Sequence, residues 1–229
     1  MKKLVKRLII NKFNAKFFLK PLLNIDRYLY FLIGQYSSLY YDGKHPKHDI
    51  LKYQEWFCNN LDPSWNVIDV GSNTGTMAEK MSKKVKKVYG IEINETLHQK
   101  AQKNKSSNLT FICADATKFD YNTIEKIDCV TLSNVLEHIE HRVLFLNTLK
   151  QNIRWAGQPH FLIRVPMIDR HWVVILKKNL GVEYRLDPTH FTEYTKASFY
   201  KEMEACELHI DSFEVRWGEI YATVSTNQK

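Results

Sequence analysis

From residue 66 onward, short apolar runs alternate with stretches of helical periodicity. The pattern predicts strands at 66–70, 86–91, 108–113, 127–132 and 160–165, with helices at 75–83, 95–103 and 140–154. Strands that alternate with helices in this way build a parallel sheet covered on both faces. The end of the chain breaks the rule. A helix at 196–206 is followed by strands at 209–217 and 219–226, joined too tightly for a crossover, so these two form an antiparallel hairpin. The expected fold is α/β, a seven-stranded, mostly parallel sheet with a C-terminal antiparallel hairpin.

Upstream, His48–Asn60 has a helical apolar pattern that ends at the Asp62-Pro63 break. Tyr41–Pro46 reads as a turn, and residues 22–41 as a second helix and loop. The organisation expected is a basic helical extension over 1–49 and a catalytic domain over 50–229. The span 166–193 fits no sheet element. It begins at Pro166, contains the apolar run Trp172–Leu176, and is long enough to serve as a functional loop. It is expected to act as a lid over the carboxyl ends of the strands, where ligands bind in open α/β sheets. A helix packed on the sheet would also account for it.

The chemistry concentrates at two strand ends. Val67-Ile-Asp-Val-Gly-Ser-Asn-Thr-Gly75 is an apolar run that closes on an acid and breaks into a loop of small residues, which lets backbone amides approach a ligand. The next apolar run ends in Glu92, where a carboxylate can accept from a ribose diol. The interval fits a dinucleotide or an adenosyl cofactor. The loop separates them, because the Gly-x-Gly-x-x-Gly spacing that cradles a pyrophosphate is absent.

Asp69-Val-Gly71-Ser-Asn73-Thr-Gly75, Glu92, Ala114-Asp115-Ala116 and the segment Ile127–Ile139 together resemble class I S-adenosylmethionine-dependent methyltransferases over roughly residues 50–225. The middle glycine of that family's first motif is here Asn73, the residue type that best tolerates positive φ after glycine. The resemblance implies a Rossmann-like fold and S-adenosylmethionine as cofactor. It places Asp69, Gly71, Ser72, Asn73 and Gly75 around the methionine end and Glu92, followed by Ile93, at the ribose. Asp115 and Ala116 fall at the adenine, although an acid that merely shapes a surface turn would look the same. Ser133 and Asn134, which end the fourth strand, mark where methionine and acceptor meet.

Glu137-His138 belongs to a stretch that, in some relatives, reads Glu-x-x-Glu-His and binds a divalent metal. Here Asn134 replaces the first glutamate and offers a weaker, uncharged ligand. His190, in Asp187-Pro-Thr-His-Phe-Thr-Glu-Tyr194, resembles a histidine that precedes the last helix in enzymes of both RNA and glycans. His138 and His190 are therefore the candidate general bases, and Glu137, His138 and His190 the candidate metal ligands.

Charge narrows the choice of substrate. The formal charge is +8, but residues 1–20 hold seven Lys/Arg and no acid, so the remaining 209 residues carry 26 basic and 25 acidic side chains. A near-neutral body argues against a long nucleic-acid groove. The leading expectation is O-methylation of a small-molecule or sugar or glycan hydroxyl. RNA ribose 2′-O-methylation is the alternative, and a cofactor-binding protein without catalysis is a third. Residues 1–20 could pack on the catalytic domain or cap its cofactor cleft, or they could touch an anionic membrane surface, since basic and bulky apolar residues alternate there.

No apolar run approaches the ~20 residues of a membrane span, and Leu8–Ile10 is too short for a signal sequence. Cys58, Cys113, Cys129 and Cys206 show no paired spacing, with Cys113 and Cys129 expected as buried thiols in strands. A reducing, cytoplasmic setting is the plain expectation.

Overall fold

A computed structural model of the chain describes residues 11–43, 45–104 and 106–226. Seven strands, β1 (Asn66–Val70), β2 (Lys87–Glu92), β3 (Leu109–Cys113), β4 (Ile127–Ser133), β5 (Trp155–Pro166), β6 (Leu208–Arg216) and β7 (Glu219–Thr226), form one sheet in the order β3-β2-β1-β4-β5-β7-β6. Pairing is parallel from β3 through β5, and β7 runs antiparallel to both β5 and β6. The strand order reverses direction at β1 and β4, the place where ligands enter sheets of this kind.

The helices are α1 (Lys12–Tyr40), α2 (Lys47–Leu51), α3 (Tyr53–Asn59), α4 (Thr76–Ser82), α5 (Glu95–Ala101), α6 (Arg142–Asn152), α7 (Trp172–Asn179) and α8 (Lys196–Ala205). The strand alternation sorts their partners. Val67, Val88, Cys129, Leu162 and Tyr221 pack with Trp56 and Phe57 of α3 and Met77, Ala78 and Met81 of α4. Their chain neighbours Ile68, Tyr89, Val130, Phe161 and Ala222 pack instead with Phe145, Leu146 and Leu149 of α6 and Phe199 and Met203 of α8. Two apolar layers on opposite faces are what a period of two produces in a sheet buried on both sides.

Several expectations need correction. Residues 12–40 form one helix, where a second helix and loop were expected over 22–41. Asn11 caps its start, its Oδ1 accepting from Asn14 N at 2.9 Å, and Pro21 lies inside it. The expected helix 48–60 divides into α2 and α3 at Lys52, which has φ 49°. Strand β5 starts at Trp155 rather than 160, because Trp155 already pairs with Ile127 before the register shifts. Cys113 is exposed, since it ends β3, the edge strand. Cys129 is buried, as expected.

The chain forms two compact units. One comprises residues 52–170 and 189–229 and holds the whole sheet. The other comprises residues 1–51 and 171–188; within it, Lys177 of α7 pairs with Asp26 of α1 at 2.7 Å. The span expected as a lid is thus shared, with α7 in the smaller unit and Thr189–Glu193 in the larger. Residues 1–10, half of the basic segment, lie outside the described residues. No helix among those described is long and apolar enough to cross a membrane.

Candidate active site

The carboxyl ends of β1 and β2 build a cradle out of backbone. Gly71, Asn73 and Gly75 have φ of 68°, 51° and 79°, so Asn73 takes the left-handed geometry that the motif's glycine would supply. The amides of Gly71 and Ser72 donate to Ile91 O at 2.8 and 3.0 Å, stitching the loop onto β2. Space is tight around it. A Cβ on Gly75 would stand 2.5 Å from Phe111 Cζ, and one on Gly71 would stand 2.9 Å from Val135 Cγ2.

Glu92 is buried and accepts from Asn73 N and from Asn94 N, both at 2.8 Å, one on each carboxylate oxygen. It ties the loop to the start of α5 and keeps lone pairs for a diol. Ile93, beside it, is exposed.

Asp69 is fully buried. One oxygen accepts from Thr131 Oγ1 at 2.9 Å, and Oδ2 has no partner among the described residues. Burial drives its pKa to about 7, with the Thr131 bond opposing and the Glu92 charge assisting. Ser72 Oγ is likewise buried without a partner. Asp115 is different. Its Oδ1 accepts from both Thr117 N (2.9 Å) and Thr117 Oγ1 (2.6 Å), and Lys118 approaches the other oxygen at 3.5 Å. Its pKa is lowered, chiefly by the Thr117 hydroxyl. These contacts make Asp115 part of its own turn. Ala116 O accepts from Tyr121 Oη at 2.8 Å, which fixes the same turn.

The second half of the site grows from β4 and β5. Asn134 leaves β4 with φ 55°, its amide donating to Arg164 O at 2.8 Å, and the chain turns at once into a short 3₁₀ turn, Leu136–His138. That turn buries Glu137 completely. Neither of its oxygens has a hydrogen-bond partner among the described residues, and Asn134 Oδ1 is also buried and unsatisfied. Burial raises the Glu137 pKa to about 8, with Arg164 pulling the other way.

The segment after the expected lid docks here, Phe191 N donating to Glu137 O at 2.8 Å. It brings His190 against His138, ring centroids 4.6 Å apart and nearly perpendicular. Glu137, His138 and His190 each present a ligand atom within 4.8 Å of the others. One carboxylate and two imidazoles at that separation can hold a divalent cation.

Neighbouring groups orient these rings. Thr189 Oγ1 lies 2.9 Å from His138 Nδ1, and His190 Nδ1 lies 3.4 Å from Glu193 Oε1. The other oxygen of Glu193 pairs with Arg170, which also donates to Met167 O at 2.6 Å.

Sequence reasoning missed these supports, and it missed a buried ion pair. Arg164 Nε and Nη2 reach Glu219 at 2.7 and 2.8 Å, its Nη1 donates to Ser133 Oγ at 3.2 Å, and its guanidinium stacks 4.2 Å over Tyr53. An arginine inside the apolar run Phe161–Val165 was the available signal, because such a charge needs a partner. Glu219 reaches it because Trp217 and Gly218, at φ 52° and 75°, close the β6–β7 hairpin with the tight turn that two positive φ values define.

Residues 41–212 match the family described as "Methyltransferase domain". The chain is a member of that family, a class I S-adenosylmethionine-dependent methyltransferase. Solved relatives share the fold at low identity. A SAM-dependent methyltransferase from Aquifex aeolicus superposes with TM-score 0.62 at 15% identity, covering 80% of this methyltransferase and 94% of that chain. The magnesium protoporphyrin IX methyltransferase of Synechocystis PCC 6803, solved with bound SAH, gives TM-score 0.58 at 17% identity over 77% and 81%. By sequence, the methyltransferase is 32% identical over 89 residues to the protein named "Probable ribosomal RNA small subunit methyltransferase A" of Methanosarcina barkeri. That stretch covers 37% of this chain and 29% of that relative.

Proposed function

We propose that this methyltransferase acts on a hydroxyl of a small molecule or of a sugar or glycan, and that His190 and His138 handle the acceptor proton. The observation that carries the reading is the Glu137–His138–His190 cluster, held within 4.8 Å where β4 ends. S-adenosylmethionine, when bound, supplies a methyl group on a sulfonium, so transfer is an in-line displacement that rewards positioning above all. Glu92 takes the ribose diol, while Asp69 and Ser72 offer unsatisfied oxygens toward the methionine end.

On the acceptor side, the oxygen forms its new bond to carbon as the carbon–sulfur bond breaks, and its proton must leave. An imidazole can take that proton near neutral pH. His190 is the deeper of the two and is oriented by Glu193, and His138 is braced by Thr189. Glu137, with a pKa of about 8, is protonated at neutral pH and becomes a carboxylate when a cation or a second proton acceptor comes into contact with it.

A second reading is methylation of an RNA ribose hydroxyl, for which the 89-residue likeness to the Methanosarcina barkeri relative speaks. The near-equal balance of 26 basic and 25 acidic side chains beyond residue 20 weighs against it. The test is transfer of label from methyl-labelled S-adenosylmethionine into fractionated cell extract, with and without a chelator. Label in saccharides or small molecules supports the first reading. Label in RNA that disappears on chelation replaces it and makes the cluster a metal site.

A further inference from the structure

We infer that helix α1 lies along an anionic lipid surface. The inference is independent of what the active site methylates. Leu23 is the single buried residue described in this 29-residue helix. Along it Phe17, Tyr36, Leu39 and Tyr40 are 62%, 68%, 74% and 82% exposed, within a longer apolar series.

Turning the helix by about 100° per residue sorts these side chains. Most of the exposed aromatic and aliphatic positions share one side, and no charged residue falls there. Lys12, Lys16, Lys20 and Arg27 lie on the opposite side with Leu23. The helix carries one acid, Asp26, and Lys177 of α7 already neutralises it at 2.7 Å. Four more Lys/Arg precede the helix in the sequence.

A continuous apolar side of this size on a charged helix marks an interaction surface, not ordinary exposure. Three features select a lipid headgroup layer as the partner. The helix is not apolar enough to cross a membrane, and an amphipathic helix of this kind lies in the interface. Its apolar side is rich in tyrosine, whose ring and hydroxyl suit the boundary between acyl chain and water. The basic charge of the helix complements anionic headgroups.

Flotation of the full chain with vesicles tests this. The protein should float with phosphatidylcholine vesicles that contain about 30% phosphatidylglycerol and stay behind with phosphatidylcholine alone. Adding about 0.5 M NaCl should weaken the association. The variant Lys12→Gln/Lys16→Gln/Lys20→Gln should bind about a hundredfold more weakly, three surface charges having been lost. Leu39→Ser should also weaken binding. Both variants should retain cofactor affinity by calorimetry, which separates loss of the surface from loss of the fold.

Failure of the unaltered chain to float with anionic vesicles overturns the inference, as does equal flotation with neutral ones. So does a concentration-dependent dimer, seen in sedimentation, that Leu39→Ser dissociates, because the apolar side would then belong to a second copy.

Discussion

The two halves of the active site satisfy their carboxylates in opposite ways. At the ends of β1 and β2, Glu92 meets a backbone amide on each oxygen, and its neighbours in the site follow one another closely along the chain. At the end of β4, Glu137 is fully buried with both oxygens unsatisfied among the described residues, beside His138, its chain neighbour, and His190, 53 residues further on. In the first half Glu92 is satisfied before any ligand arrives, while Asp69 Oδ2 and Ser72 Oγ have no partner among the described residues. In the second half Glu137 and Asn134 keep side-chain oxygens without partners among the described residues, and buried polar atoms are rarely left unpaired without a functional reason. Asp69 stands between these regimes, with one oxygen held by Thr131 and the other open.

The harshest way to break the cofactor half is Glu92→Ala. It removes the proposed ribose acceptor and orphans the amides of Asn73 and Asn94, so binding of S-adenosylmethionine should fall by at least about a hundredfold, two charge-assisted hydrogen bonds being lost. Calorimetry that returned unchanged affinity would remove Glu92 from the ribose. In the acceptor half, His190→Ala should leave that affinity intact and depress turnover about a hundredfold, within the range of a lost general base. If turnover survived, His190 would merely hold the segment Thr189–Glu193 in place.

This contrast explains what could be read from sequence. The sheet, the hairpin and the cofactor loop were legible because each depends on a period of two, a turn, or a motif of a few consecutive residues. Even Asn73 was legible, since its left-handed φ follows from local sterics. The turn contact of Asp115 is equally local, since Thr117, two residues away, donates twice to its Oδ1.

What stayed hidden depends on long-range docking. Nothing local to Glu193 says that it will sit between His190 and Arg170, and nothing near Arg164 names Glu219 as its partner 55 residues on. The continuous helix α1 was hidden for a different reason. Residues 22–41 read as a separate second helix and loop, yet α1 runs through Pro21 and tolerates the missing donor.

The buried pair Arg164–Glu219 gives a stability test of the same contrast. Glu219→Gln should cost about 3–5 kcal/mol, because it leaves a buried guanidinium without its counter-charge. Arg164→Met/Glu219→Leu should be milder than either single change, which thermal melts of the three variants would reveal.

Acidity separates the halves next. Asp69 and Glu137 have folded pKa values of about 7 and about 8, above those of an unfolded chain. Raised carboxyl values mean that the folded protein holds more protons than the unfolded one between about pH 4 and pH 8, so stability without ligand should decline as pH rises through that window. Asp69→Asn and Glu137→Gln should each flatten part of the decline. Binding of a cationic cofactor next to Asp69 favours its ionised form, so affinity should rise from pH 6 to pH 8 with release of a proton. Calorimetry in buffers of different ionisation enthalpy would detect that proton, and Asp69→Asn should abolish it.

The smallest effect probes how finished the cofactor half is. Asn73 holds φ 51° and its Oδ1 accepts from Thr74 N at 2.7 Å. Glycine reaches the same backbone conformation without strain but forfeits that bond, so Asn73→Gly should leave cofactor affinity within about twofold. Valine cannot adopt it cheaply, and Asn73→Val should cost about 1–2 kcal/mol of stability and weaken binding with it. An Asn73→Gly variant that bound as poorly as Asn73→Val would mean that the asparagine side chain, rather than the turn it permits, completes the cradle.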